Sequence, residues 1–384
     1  VESGASSAAA KPHPHQEIPM AQTSYAVNNA LTVKLWAKKL AVEALKETMF
    51  GKFVGTTSSS LVQIKDETQK SAGDTITYGL RMQLSGAGVQ GDGTLEGNEE
   101  ALTTYSDAVV LNQLRHAVRV SGRMSQQRVP FDIRDESLSG LRDWWADRMD
   151  LAFFNQICGN LGPIRLPNGT YAANSTLYTG NNAALAPDSG HYLNAFSTTS
   201  VLDTDLTSAN TFTLALIDRC VERAKTLTPA IRPLKMNGKE YYVMFLHPYA
   251  VTDMRTNTNT GQFLDIQKAA MTGGVTTDNP IFTGALGMYN NVLLFEDARV
   301  SAGYNASTFA GITTVSRNVF CGAQAAMLGF GRDNSPEKFT WVEELFDYEN
   351  ELGVSAGTIF GLKKAQFNNT DFGTIVASSY AASH

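Results

Sequence analysis

From Asp74 to Leu84 apolar and polar residues alternate: Ile76, Tyr78, Leu80, Met82 and Leu84 fall on one face, Thr75, Thr77, Arg81 and Gln83 on the other. A period of two is the signature of a half-buried strand. At ~3.3 Å per residue this arm is about 36 Å long. The stretch 85–98 carries Gly86, Gly88, Gly91, Gly93 and Gly97 with almost nothing apolar, and predicts an open tip. A return arm starts near Ala101 and runs through Tyr105, Val109, Leu111 and Val118. A lone two-stranded ribbon of this length is marginal in water. Nothing adjacent in sequence covers its apolar face, so the parent domain or a second subunit must. The pattern predicts an assembly arm.

Elsewhere the period changes to that of helices. Leu31, Leu35, Leu40, Leu45 and Met49 predict a helix over 29–50, capped by Asn28 or Asn29. After Pro130, Asp132 and Asp135 signal a second start. The helix 135–157 sets Leu138, Leu141, Trp145, Met149 and Ala152 on one side, with Arg142, Asp143, Asp147, Arg148 and Asp150 mostly on the other; Gly159 stops it. Its length is about 34 Å. Leu214, Ile217, Val221 and Ala224 predict a third helix over 213–227. Strand-like or buried runs occur at 241–246, 292–295, 319–328, 339–346 and 354–367, and His247-Pro248 opens a short helix to Met254. The polar stretch 160–205 is too long for a plain connection and reads as a functional surface insertion or a locally disordered one. The order is mixed α+β with no regular βαβ unit and no internal repeat.

Composition narrows the classes. Hydrophobic content of 43% and charged content of 18% suit a globular chain with a sizeable core. A net charge of −6 argues against a general nucleic-acid binder. No apolar run reaches the ~18 residues of a membrane span, and residues 1–19 lack the pattern of a secretory signal. Cys158, Cys220 and Cys321 are widely spaced and set in apolar surroundings, which predicts buried free thiols made in a reducing compartment. Met20-Ala21-Gln22-Thr23 reads as a natural start behind a polar lead.

Several motifs match by letters and fail on context. Gly86 to Gly91 spells the dinucleotide fingerprint, yet Asp92, Gly93, Thr94 and Gly97 follow where a helix must open. Asp92, Thr94 and Glu96 resemble the start of a calcium loop, but the final carboxylate position falls on Thr103. Gly353-Val354-Ser355-Ala356-Gly357 spells the nucleophile elbow of serine hydrolases, with only Asp371 and His384 downstream and strand-like residues after it. His13 and His15 lack a third metal ligand nearby. His116 and His247, isolated in apolar strands, read as satisfied core histidines. The acid–arginine alternation over 134–150 is a solvated helix face first and a set for pairing across subunits second. Trp145 reads as core and Trp144 as an interface candidate. The intersubunit candidates are therefore Ile76, Tyr78, Leu80, Arg81, Met82, Leu84 and Tyr105 on the ribbon arms, Glu96, Glu99 and Glu100 at the tip, and Arg142, Trp144 and Arg148 on the helix. No catalytic residue, cofactor or metal is expected.

Whole phrases carry a resemblance: residues 20–23 with the helix after them, GVQGDGTLEGNEEALTTYSD (88–107), QLRHA (113–117), RDWWADRMDLAFFN (142–155), NPIFTGALGMYNN (279–291) and WVEELFDYENELGVSAGTIFGLKK (341–364). In these the chain resembles the major capsid proteins of tailed bacteriophages, specifically the N-four-like family with the Hong Kong 97 capsid fold. The resemblance implies an N-terminal arm and helix (1–52) and an extended loop (53–125). A peripheral domain with a long spine helix and the polar insertion (126–205) and an axial domain (206–330) follow, and strands 331–384 return to the peripheral domain. It implies a non-enzymatic homo-oligomer of hexamers and pentamers, in the virion, assembled in the host cytoplasm with scaffolding, portal and decoration proteins. The shell would enclose double-stranded DNA without sequence-specific binding, away from any membrane. Some relatives cross-link a lysine of the extended loop to a neighbour's asparagine; between Lys70 and Lys225 this chain has no lysine. The alternatives are a non-viral shell or scaffold of the same fold and a serine hydrolase using Ser355.

Overall fold

The computed structural model describes residues 40, 43–44, 47–65, 74–81, 86–100, 104–130, 132–174, 179–196, 202–236, 238–257, 287–331 and 339–384. His13, His15 and the start at Met20 lie outside these. So does most of the predicted helix 29–50, of which 40, 43, 44 and 47 are described and helical.

A 3-10 turn at Phe50–Phe53 precedes strand β1 (Val62–Lys65). The ribbon is β2 (Thr75–Arg81) against β3 (Thr104–Val110), with Thr75 opposite Val110 and Arg81 opposite Thr104. The return arm is not one strand. It breaks at Leu111, and its continuation β4 (Asn112–Arg119) leaves the ribbon for a different sheet. Helix α1 (Arg123–Arg128) and the 25-residue spine helix α2 (Ile133–Ile157) follow. As the sequence signals, Asp132 caps α2 by accepting the Arg134 N–H at 2.8 Å. Gly159 ends it with φ of +56°, and a Cβ there would lie 2.5 Å from the Leu185 carbonyl oxygen, so glycine is required. Next come β5 (Tyr192–Asn194), α3 (Leu214–Thr226), β6 (Lys239–Leu246), α4 (Pro248–Thr256), β7 (Val292–Glu296) and β8 (Gly311–Cys321). Then follow β9 (Ala326–Phe330), β10 (Thr340–Phe346), β11 (Glu351–Lys364) and, after a two-residue hairpin pair at Gln366–Phe367 and Thr370–Asp371, β12 (Thr374–Tyr380).

Two sheets share the spine helix. In the first, Val54–Gly55, β1, β9, β11 and β10 lie in that order, and β4 takes the other edge of β11. The 14-residue β11 is the seam. One edge pairs with β4 from Gly353 to Phe360; the other is divided between β10, up to Gly357, and β9, from Phe360 onward. The second sheet runs Gly287–Tyr289, β7, β6, β8, β12, β5. The C-terminal strands therefore part company: β10 and β11 join the first sheet, while β12 lies between β8 and β5 in the second.

Helix α2 is amphipathic at its start and buried on all sides from Met149 onward. The reason is its position. Trp145 packs on Phe339 and Phe360 of the first sheet region, while Phe153 and Phe154 pack edge-on against Phe245 of the second. The far face of the second sheet is closed by α3 and α4 through Leu214, Ile217, Val221, Ala250 and Met254. All three cysteines are buried and free. The polar stretch 160–205 contributes to the interior: Asn160, Thr179, Asn182, His191, Asn194 and Asp203 are buried.

Candidate subunit interface

A ribbon works as an arm only if one end is held and the other is free. The root is held by its own chain. Ile76 and Tyr78 are 2% and 3% exposed, so the expectation that a neighbour covers them is corrected. Ile76 and Leu111 lie over Gly329, where a Cβ would fall 2.7 Å from Ile76 Cδ1. Tyr78 and Val109 pack with Met327, Ala365 and Phe372. The Tyr78 hydroxyl donates to Asp107 Oδ2 at 2.7 Å, and Lys363 Nζ pairs with the other carboxylate oxygen. Burial and the adjacent Asp107 push the Tyr78 phenol far above its ordinary value, so it remains a donor. Asn182 completes the clamp from the insertion: its Oδ1 accepts the Val110 N–H at 2.9 Å and its Nδ2 donates to the Val110 carbonyl at 2.8 Å. One side chain thereby substitutes for a neighbouring strand where the ribbon ends.

The tip is the opposite. Residues 86–100 form turns and no helix, and every one is exposed except the half-buried Val89. Their positive φ values at Gly88, Gly91 and Gly97 are those of turns, which disposes of the dinucleotide reading. Glu96 is exposed; Glu99 accepts the Gly97 N–H at 2.7 Å and Glu100 the Gly86 N–H at 2.6 Å. The tip holds Asp92, Glu96, Glu99 and Glu100 and no cation. Leu80 and Arg81 pair with Tyr105 and Thr104 through the backbone. The side chains of Leu80, Arg81 and Tyr105, and all of Met82 and Leu84, lie outside the described residues.

On the spine helix the three candidates meet partners in the same chain. Arg142 Nε lies 3.1 Å from Glu47, reaching the segment before the 3-10 turn. Trp144, half-buried, stacks on His116 with ring centroids 4.2 Å apart, and the Arg148 guanidinium lies 5.6 Å from the Trp144 ring. His116 is exposed, so it is a surface stacking partner and not the core histidine expected. His247 is buried as expected; its Nδ1 accepts the Tyr249 N–H and caps α4. Ser355 sits in mid-strand, its hydroxyl donating to the Val342 carbonyl at 3.3 Å, with no strand-to-helix elbow.

Two buried charge clusters went unread in the sequence. Lys364 and Asp371, each 1% exposed, pair at 2.7 Å, and Asp371 N–H donates to Asp188, whose two oxygens lie 2.8 and 3.0 Å from His191 Nδ1. The second cluster joins three parts of the chain. Asp150, fully buried on α2, accepts the Met49 N–H at 3.0 Å and meets Arg299 at 2.7 Å; Arg299 also grips Asp297 and Asp147, each at 2.9 Å. Burial raises the Asp150 carboxyl to about 7 against the pull of Arg299 and the Met49 N–H, with Asp297 adding to the rise.

This sets a pH dependence. A carboxyl with a folded pKa near 7 and an unfolded value of 3.8 adds stability below the lower value and loses it as pH rises through the upper one. Acidifying the isolated subunit from pH 8.5 to 6.5 is expected to raise its unfolding free energy by ~1 kcal/mol. Below the ordinary histidine value of 6.5, buried His247, depressed to about 3 by burial and then by Arg165, acts in reverse and flattens the curve. Denaturant unfolding at several pH values checks this; Asp150→Asn should remove the upper limb, and an unchanged limb in that variant contradicts it.

Residues 24–383 match the family described as phage capsid protein. The chain is 32% identical over 368 residues to the major capsid protein of Pseudomonas phage KPP25, covering 89% of this chain and 93% of that one. The capsid of Ralstonia phage GP4 superposes with a TM-score of 0.73 at 30% identity, over 97% of this chain and 99% of that one. The Cyanophage Pam1 capsid superposes with a TM-score of 0.65 at 21% identity, over 88% and 94%. The fold is the α+β architecture of Hong Kong 97-type capsids, and this chain belongs to the phage capsid protein family as a structural, major capsid subunit.

Proposed function

We propose that the chain is the repeating unit of an icosahedral phage head, arranged as hexamers and pentamers around double-stranded DNA. The observation that carries this is the ribbon, clamped at its root and bare at its tip. The acidic tip of one subunit lies on the exposed arginines Arg115, Arg119, Arg123 and Arg128 of a neighbour's β4 and α1. Opposite charges in this arrangement steer assembly and set register. The first sheet with α2 serves as the peripheral domain and the second sheet with α3 and α4 as the axial one. Sheet membership supports assigning β12 to the axial domain, although the other C-terminal strands belong with the peripheral one. Assembly takes place in the host cytoplasm with scaffolding, portal and decoration proteins. The role requires no catalytic step. With a net charge of −6 the wall does not condense DNA by neutralising phosphates, so packaged DNA slides along it.

The test is electron microscopy of particles purified after expression with a scaffolding partner. Closed icosahedral shells are expected. Boiled in detergent, they should run as one monomer band, because no lysine lies between Lys70 and Lys225, which leaves the ribbon arms and tip without an amine. Open sheets or soluble monomers under all conditions overturn the assembly reading, and a covalent ladder overturns the cross-link expectation.

A further inference from the structure

At the ribbon tip Leu95 is the one large apolar side chain left exposed, at 61%. Its backbone is fixed on both sides. Asn98 N–H donates to the Leu95 carbonyl at 3.0 Å, closing a turn whose third residue, Gly97, has φ of +89°. Asn98 Nδ2 donates to the Thr94 carbonyl at 2.9 Å. Asp92, Glu96 and Glu99 flank the leucine, all exposed, and the tip has no cation. An apolar side chain is thus presented inside an acidic rim on a backbone already set, which lessens the ordering cost of docking.

The same chain carries the opposite pattern on α1. Met124 there is also 61% exposed. Arg128 lies one turn on, at i+4, and Arg123 is adjacent in sequence, both exposed. Neither arginine forms an ion pair among the described residues. On the turn beside α1, Asp347 accepts from Asn350 and Glu351 from Arg119, so these acids are committed elsewhere. The two patches lie at opposite ends of this part of the chain. Seven paired residues carry the tip about 23 Å from the ribbon root, and the eight of β4 carry α1 about 26 Å from it in another sheet.

We infer that Leu95 of one subunit packs on Met124 of a neighbour, with the acidic rim of the tip paired to Arg123 and Arg128. This rests on the reading of the chain as the repeating unit of a shell. Tip and α1 are different surfaces, so the contact is heterologous and propagates around a ring instead of closing as a dimer. An apolar centre sheltered from water by groups around it is the arrangement in which binding energy concentrates.

The experiment joins the two positions. In a chain carrying Leu95→Cys and Met124→Cys the new thiols stand at exposed positions, while Cys158, Cys220 and Cys321 are buried. Purified shells treated with a short bismaleimide are expected to give a ladder of monomer multiples in detergent, and either single variant a monomer band. Shells that form and give no ladder, or a band joined to the scaffolding partner instead, overturn the contact and leave the shell reading standing. Absence of shells from the unaltered chain overturns both. Should the cysteine pair block closure, charge exchange decides. Asp92→Arg with Glu96→Arg is expected to lose closed shells, and adding Arg123→Glu with Arg128→Glu to restore them. Closure unaffected by the first pair, or not restored by the second, overturns the contact.

Discussion

A subunit whose ribbon tip, residues 86–100, is replaced by a two-residue Asn-Gly turn is expected to fold and to form no closed shell. The tip lies outside every core cluster, and its described hydrogen bonds join tip residues to each other, as in Gly97 to Glu99 and Asn98 to Thr94. Removing it leaves Ile76, Tyr78 and Val109 buried at the root, so the unfolding midpoint should move by little. Assembly is another matter. Subunits in permanent contact typically bury ~2,000 Å² or more, and a free acidic arm is the part of this chain built to reach a neighbour. A change at the root separates the two effects. Gly361→Val places a Cβ 2.2 Å from the Val110 carbonyl oxygen, which is backbone and cannot swing away, so this variant should lose folding itself. Circular dichroism melting and electron microscopy of the two variants check the division. Normal particles from the tip replacement would show that the arm is dispensable.

The parts of this arrangement that were legible in the sequence are those written locally. Asp132 and Gly159 mark the ends of the spine helix because capping depends on residues within a turn of the end. The ribbon's first arm shows in the alternation from Ile76 because period two is local. The break at Leu111 left a small trace, since the apolar positions change phase from Val109 and Leu111 to Leu114 and Val118 where the partner strand changes from β2 to β11. The root's cover was hidden. Gly329, Met327, Ala365 and Phe372 stand far downstream, and nothing near Ile76 announces them. Asp150 illustrates the same limit on a helix. By sequence it belongs to a charged, solvated face, and only the arrival of Arg299 and the Met49 backbone makes it an interior group. His116 errs in the other direction: an apolar-looking strand placed it inside, and it does share the face of Leu114 and Val118, yet it remains exposed there, stacked on Trp144.

Replacing Arg299 with leucine is expected to destabilise the subunit by ~3 kcal/mol or more near pH 8.5, because removal of one partner leaves buried charge without its counter-ion. Arg299 bridges Asp150 at 2.7 Å, with Asp297 and Asp147 at 2.9 Å, and the Asp150 and Asp297 side chains are 0% and 5% exposed. Leucine keeps the apolar stem and offers nothing to these carboxylates. Asp150 can escape by taking up a proton, and loss of Arg299 raises its carboxyl further above about 7. The damage should therefore shrink on acidification to pH 6.5, leaving mainly the cost at Asp297. The double variant Asp150→Asn with Arg299→Leu should be less harmed than Arg299→Leu alone by ~1–2 kcal/mol, since an amide needs no counter-ion and still accepts the Met49 N–H. The same cluster fastens the segment entering at Met49 to the spine helix and to the second sheet. Amide exchange at Met49 should accordingly quicken in Asp150→Leu, which removes the acceptor. Denaturant unfolding at pH 8.5 and 6.5 for the single and double variants measures the coupling. An Arg299→Leu subunit within ~0.5 kcal/mol of the unaltered chain at both pH values would show that the buried carboxylates are stabilised by something other than Arg299.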